Sequence, residues 1–158
     1  MRLVLDNTVM SNFALVRRTG WLHQVWPGML VTSEEAWAEL QAGVGLGRIP
    51  EADWSWLTIL SLTEAERNAR NGLVPPLDEG EAACLALARS RGYAFLTDDR
   101  AARRKARRLG VPLSGTIGVL RSLVDERYIS FEEADQALQQ MIALGYRSPV
   151  RSLDEIRQ

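Results

Sequence analysis

The sequence predicts an α/β fold, with a central, mostly parallel β-sheet flanked by helices on both faces. Three observations carry this. Short apolar runs of strand length alternate along the chain with longer stretches of helical pattern, the order that produces a parallel sheet covered by helices. One helical stretch, over 82–88, is apolar throughout and must be buried on most sides. No glycine-rich phosphate loop follows any strand, which sets the fold apart from nucleotide-binding α/β proteins.

The elements follow in order. Leu3–Leu5 reads as a buried strand, and the Asp6-Asn7-Thr8 cluster after it favours a turn or helix cap. Helices are expected over 9–16 and 21–26. Pro27-Gly28 breaks the chain before a second strand at 29–31. Thr32 and Glu35 have capping-box spacing, which opens a helix ending near Gly43, and 43–50 is a loop. A strand at 57–60 precedes a second capping box, Thr63 to Glu66, and a polar helix to about Asn71. Pro75-Pro76 stops that segment. Asp78 and Glu81 repeat the box before the apolar helix. A strand follows at 94–97, then a basic helix over 100–109 ended by Gly110 with Pro112 beyond. A short strand at 111–113 and helices over 116–126 and 131–144 close the chain.

The 158 residues suit one domain, expected over 1–148 with a tail at 149–158 packed on it. Hydrophobic residues are 46% and charged residues 25%, an ordinary soluble composition. The net charge of −1 gives no global attraction to a polyanion, so any such binding must be local or metal-mediated. The N-terminal apolar run, interrupted by Asp6, is too short for a signal peptide or membrane span. Cys84, the single cysteine, cannot form an internal disulfide and fits a reducing cytoplasm, where it reads as a small core residue. With only His23, a histidine-based metal site or triad is excluded, and any metal chemistry must use oxygen ligands.

Acidic residues stand where such ligands would be needed. Asp6 ends the first strand, and Asp98 and Asp99 end the 94–97 strand. Ligands of open parallel sheets collect beyond the carboxyl ends of the strands. Glu39 and Glu81 lie on helices that can reach the same crevice. Carboxylates gathered there would raise one another's pKa values, a cost that a divalent cation removes. Oxygen-only ligands suit Mg²⁺ or Mn²⁺. Taken singly, each acid also reads as a helix cap or a solvated side chain, so their order along the chain makes the argument.

That order resembles the PIN-domain family over nearly the whole chain. The segments are Leu-Val-Leu-Asp-Asn-Thr-Val-Met-Ser-Asn at 3–12, Val-Thr-Ser-Glu-Glu-Ala-Trp-Ala-Glu-Leu at 31–40, Leu-Asp-Glu-Gly-Glu-Ala-Ala at 77–83 and Phe-Leu-Thr-Asp-Asp-Arg-Ala-Ala-Arg at 95–103. The last two, with Leu-Gly-Val-Pro-Leu-Ser-Gly-Thr at 109–116, are similar to relatives of VapC-type toxins. The resemblance implies a Mg²⁺- or Mn²⁺-dependent endoribonuclease, often the toxin of a type II toxin–antitoxin pair and often a homodimer. Its partners would be an RNA substrate and a cognate antitoxin, with no membrane. It implies catalytic roles for Asp6, Glu39, Glu81 and Asp99, and metal ligation by Asp6, Glu81 and the Asp98/Asp99 pair, in which Asp99 is favoured. Thr8 and Asn12 would be supporting polar residues. Asn7 departs mildly from the family, where a small hydroxyl residue is common.

Arg100, Arg103, Arg104, Lys105, Arg107 and Arg108 share one helix with no acid among them. Ala102, Ala106 and Leu109 form its inner face, so most cations face outward. Arg100, Arg103, Arg104 and Arg107 are expected to form a phosphate rail for RNA; the plain alternative is a solvated face. Five tryptophans read chiefly as core, with Trp54 and Trp56 sharing a face if that stretch is a strand. The alternatives to a toxin are a PIN nuclease without an antitoxin and a non-catalytic module binding RNA or protein.

Overall fold

The computed structural model describes residues 1–157. Strands β1 (Leu3–Leu5), β2 (Leu30–Ser33), β3 (Thr58–Leu60), β4 (Ala94–Leu96) and β5 (Leu113–Ser114) form one sheet, ordered β3-β2-β1-β4-β5. Every neighbouring pair is parallel. Helices make every connection: α1 (Asn7–Leu15) and α2 (Thr19–Val25), α3 (Glu34–Gly45), α4 (Glu64–Asn71) and α5 (Glu79–Arg91), and α6 (Arg100–Arg108). Helices α7 (Thr116–Asp125) and α8 (Phe131–Ala143) and a 3-10 turn at Leu153–Ile156 follow. No helix among the described residues is long and apolar enough to cross a membrane.

This strand order positions the site. The chain steps from β1 to β2 and β3 on one side, then crosses back to β4 and β5 on the other. Right-handed crossovers in opposite directions place their helices on opposite faces of the sheet. The reversal makes β1 and β4 parallel neighbours, with Leu5 opposite Leu96. Asp6 and Thr97-Asp98-Asp99 therefore leave the sheet side by side at its topological switch point, where such sheets bind ligands.

Burial follows the sequence pattern. All of β1 is buried, and α5 packs on β1, β2 and β4 with Ala82 to Ala88 inside. Gly92 ends α5 in the left-handed conformation that disfavours side chains with a Cβ. The Thr63–Glu66 and Asp78–Glu81 capping boxes form as their spacing predicts.

The box expected at Thr32–Glu35 does not form. Strand β2 runs on to Ser33, because Thr32 and Ser33 pair with Ile59 and Leu60 of β3. Thr32 is thus a buried strand residue whose hydroxyl donates to the Leu5 carbonyl (2.6 Å). Ser33 caps α3 instead, accepting from the Ala36 amide at 3.0 Å. Glu35 turns away to Arg70, 2.8 Å distant. Trp54 and Trp56 precede β3 rather than lying in a strand. Trp54 packs edge-on against Trp37 and beside Trp56, and Trp56 stacks on His23, so these aromatics fill the interior margin.

The C-terminal segment is fastened to α8. Asp135 accepts from the Ser152 hydroxyl and the Leu153 amide (3.0 and 2.7 Å), and Leu153 is buried. Gln158, the last residue of the expected tail, lies outside the described residues.

Glu66 supplies a test of the packing. Its buried carboxylate closes the α4 capping box and receives two hydrogen bonds from Arg91 at 2.9 Å. Glu66→Ala should cost about 2 kcal/mol in urea unfolding at neutral pH, less than a fully buried pair because the Arg91 head can rehydrate. Arg91 holds the Glu66 carboxyl down at about 2, below the ordinary 4.5. Its contribution is therefore present above 4.5 and lost as pH falls toward 2. The gap between wild type and variant should close over that range.

Candidate metal and active site

Asp6 is the anchor. It follows β1, is 1% exposed, and caps α1. One carboxylate oxygen accepts from the Thr8 amide (2.9 Å), the Thr8 hydroxyl (2.5 Å) and the Val9 amide (3.3 Å). The other accepts from the Thr97 hydroxyl of the neighbouring strand end (2.5 Å). Burial nevertheless wins over these bonds and pushes the Asp6 carboxyl up from 3.8 to about 7, with the Asp98 charge adding to the rise. Beneath it lies a small polar layer in which the Cys84 thiol contacts the Ser33 hydroxyl at 3.4 Å. Burial pushes that thiol up to about 12, so it is an inert packing group.

The two adjacent aspartates face different ways. Asp98 looks toward α7: its oxygens accept from the Thr116 amide (2.8 Å), the Thr116 hydroxyl and the Asn12 amide group (2.9 Å). The Tyr146 hydroxyl reaches it at 3.4 Å. These partners occupy both oxygens, and Asp98 ties α1, β4 and α7 together. Gly115 permits this approach, since a Cβ there would collide with the Asp98 carboxylate. Asp99 instead caps α6 with one oxygen, accepting from the Ala102 amide (2.9 Å). Its own amide donates to the Thr97 hydroxyl at 3.2 Å.

Glu81 comes from the first turn of α5. One of its oxygens closes the capping box on the Asp78 amide at 3.1 Å. Its carboxyl is pushed up from 4.5 to about 8, first by burial and then by the charges of Asp78, Asp99 and Asp6. The mutual repulsion expected at the strand ends is thus present among acids of β1, α5 and β4. Glu39 sits one step away. It accepts from the Gly80 amide (2.9 Å) at the start of α5, and Gly80 leaves room for it because a Cβ would fall on the carboxylate. Burial raises its pKa, helped by the charges of Asp78 and Glu79 rather than Asp6 or Asp99.

No three His, Cys, Asp or Glu side chains among the described residues are arranged to enclose one metal ion. The oxygen-rich, mutually repelling acids still suit a hard cation that keeps several water ligands. Thr8 and Asn12 lie against these acids. Thr8 donates to Asp6 and accepts from the Asp98 amide, and Asn12 donates to Asp98.

The basic helix differs from expectation at one residue. Arg103 does not project into solvent. It folds inward to donate to the Thr97 and Ser114 carbonyls (2.8 and 3.1 Å), satisfying two strand-end acceptors beside Asp98. Arg100, Arg104 and Arg107 are exposed, and Ala102 and Ala106 form the buried face. Sequence reading did not single out Thr97, Thr116 or Tyr146. The Thr97 contact could have been anticipated from its place beside the first strand end. Thr116 and Tyr146 reach the site only through the tertiary fold.

A parallel sheet with acids at its switch point defines an open α/β protein with a candidate ligand site at the strand ends. The family model for the PIN domain matches residues 2–158, so the chain belongs to the PIN-domain family. Solved structures agree on the fold. The PilT N-terminus domain protein SSO1118 from the hyperthermophilic archaeon Sulfolobus solfataricus P2 matches with a TM-score of 0.52 at 14% identity, over 79% of this chain and 92% of that one. PAE2754 from Pyrobaculum aerophilum matches with a TM-score of 0.53 at 16% identity, over 78% and 90%. A search of curated proteins finds no match.

The raised acids give a pH prediction for the metal-free protein. The folded state holds the Asp6 and Glu81 protons more tightly than the unfolded chain, whose values lie near 3.8 and 4.5. Their stabilising contribution is full below those values and is lost as pH rises through about 7 and 8. Melting temperature in chelator should fall between pH 5 and about pH 8. Glu81→Gln should flatten the upper part of that decline; identical profiles for both proteins would contradict the assignment.

Proposed function

We propose that this chain is a Mg²⁺- or Mn²⁺-dependent endoribonuclease and the toxin of a type II toxin–antitoxin pair. One observation carries the nuclease reading. Asp6, Glu81 and Asp99 come from three different elements near the strand ends, and the charges of Asp99 and Asp6 add to the burial that pushes Glu81 to about 8. None of the ion pairs among the described residues involves these acids. A buried excess of negative charge at a ligand-binding position suits an active site better than a structural one.

When bound, a divalent ion supplies positive charge to a phosphodiester oxygen and makes a coordinated water acidic. The chain's own residues hold and orient. Asp6 is fixed by Thr8, Val9 and Thr97, and Asp99 by the start of α6, so neither needs to reorganise on binding a cation. Glu81 keeps one oxygen free of the capping box. Glu39 is held by the Gly80 amide with a raised pKa, and a role as proton acceptor for it rests on the family resemblance. Asp98, the other acid of the pair, is held by Thr116 and Asn12 much as Asp6 is held by Thr8 and Thr97, and Asp99 is the favoured ligand of the two. The toxin reading adds an antitoxin, a homodimer and a cytoplasmic setting, and rests on the resemblance of the 77–83, 95–103 and 109–116 segments to VapC-type relatives.

Mg²⁺ or Mn²⁺ should raise the melting temperature, by about 2.7 kcal/mol of stability at a hundredfold excess over Kd. Replacing both Asp6 and Asp99 by alanine should abolish the shift; an equal shift in that variant would place the ion elsewhere. Asp6→Asn should lower RNA cleavage by orders of magnitude while the protein stays folded. Glu81→Gln should impair cleavage far more than Glu79→Gln, because Glu79 is exposed and points elsewhere on α5. Expression without a partner gene should arrest growth in wild type and not in Asp6→Asn. Growth without arrest alongside intact cleavage would make this a nuclease of another role.

A further inference from the structure

Resting on the nuclease reading, we infer that a groove between α6, α7 and the segment after α8 carries a single RNA strand to the carboxylates, with Arg121 and Arg147 as phosphate contacts. The groove encloses about 380 Å³ and is lined by Arg100, Arg103 and Arg107 of α6, Arg121 of α7, and Arg147. These arginines come from three separate parts of the sequence, so the fold gathers what the α6 charge run shows only in part. The described ion pairs are Arg70–Glu35, Arg91–Glu66 and Arg157–Asp154, which leaves the groove arginines without acidic partners among the described residues. The single acid lining the groove is Asp98, whose oxygens are already engaged by Thr116 and Asn12. Arg103 is fixed in the wall by the Thr97 and Ser114 carbonyls. Arg121 and Arg147 are exposed and free to meet a ligand.

The groove also leads to the right place. A second depression, of about 360 Å³, is lined by Thr8, Asn12 and Asp99 and shares Asp98, Tyr146 and Arg147 with the first. Tyr146 and Arg147 therefore form the saddle between the cationic groove and the acidic end of β4. A cationic groove with an aromatic ring along it is the usual arrangement for binding a single strand. An acidic protein segment would match the arginines but would meet repulsion at Asp99. A phosphodiester at that position would share the divalent cation.

The test is RNA binding over a range of salt, with the full chain in an Asp6→Asn background with Mg²⁺ present. The probe is a fluorescent single-stranded oligouridine, and polyglutamate serves as a competing polyanion. Arg121→Gln and Arg147→Gln are compared with Arg108→Gln, which removes an exposed cation of α6 that does not line the groove. Each groove variant should lower the salt slope by roughly 0.7 and weaken binding about fivefold at 0.1 M salt, by loss of counterion release. Arg108→Gln should match the background. Equal losses in all three variants would overturn the groove in favour of a diffuse charge effect. Superimposable curves for all three would overturn it too, and groove variants that lose only polyglutamate binding would reassign it to an acidic protein partner. If the Asp6→Asn protein binds no RNA and wild type cleaves none, the nuclease reading itself fails. Wild-type cleavage with unaffected groove variants would remove the groove alone.

Discussion

The buried Asp6 carboxylate is the constraint on which the site depends. It stands at the carboxyl end of the central strand, where the sheet reverses direction, and does two opposing things. As an α1 cap and acceptor of the Thr97 hydroxyl, it ties the end of β1 to the end of β4 just beyond the Leu5–Leu96 pair. As a charge in a dry place, it costs stability, which burial expresses as a carboxyl pushed up to about 7. Four hydrogen bonds do not offset that cost. A fold under selection for stability alone would gain from a neutral residue there. The arrangement makes physical sense when a cation balances the charge.

The neighbouring residues divide the remaining work. Thr97 and Thr8 orient Asp6, and Thr8 also receives the Asp98 amide, so a hydroxyl on each side couples β1 to β4. Asp98 and Asp99 are adjacent in sequence and opposite in role because the chain turns into α6 between them. Asp98 fastens α7 through Thr116, and Asp99 caps α6 through the Ala102 amide. Burial pushes the Glu81 carboxyl up, with the charges of Asp78, Asp99 and Asp6 adding to it, and Glu39 is raised by burial against the opposing hydrogen bond donated by the Gly80 amide. The positive charge lies on the other side of Asp98, in the arginine-lined groove. Clustered arginines and clustered acids thereby occupy adjacent, electrostatically opposite surfaces on a chain of net charge −1.

Much of this was legible in the sequence where the signal is local. Strand runs, the two capping boxes at Thr63 and Asp78, and the Gly110 stop are decided by a few adjacent residues. The acids at the ends of β1 and β4 were legible because strand ends in a parallel sheet share one edge. Sequence spacing misplaced the α3 cap, because pairing of Thr32 with Ile59 extends β2 past the local capping signal. It also assigned Arg103 to solvent, because helical periodicity says nothing of two carbonyls waiting at neighbouring strand ends. Arg121, Arg147 and Tyr146 carried no signal of their own. Each is an ordinary surface residue in sequence, and only the packing of α7 and α8 against β5 and α1 brings them beside the acids.

The central claim is that the crevice formed by Asp6, Glu81 and Asp99 holds a divalent cation. Anomalous diffraction from crystals of this protein grown with Mn²⁺ addresses it most directly. The account predicts one strong peak in that crevice, ligated by Asp6, Glu81 or Asp99 and completed by waters, with Asp98 still bound to Thr116 and Asn12. A peak on Asp98 in place of those bonds, or Mn²⁺ bound only elsewhere on the surface, would contradict it.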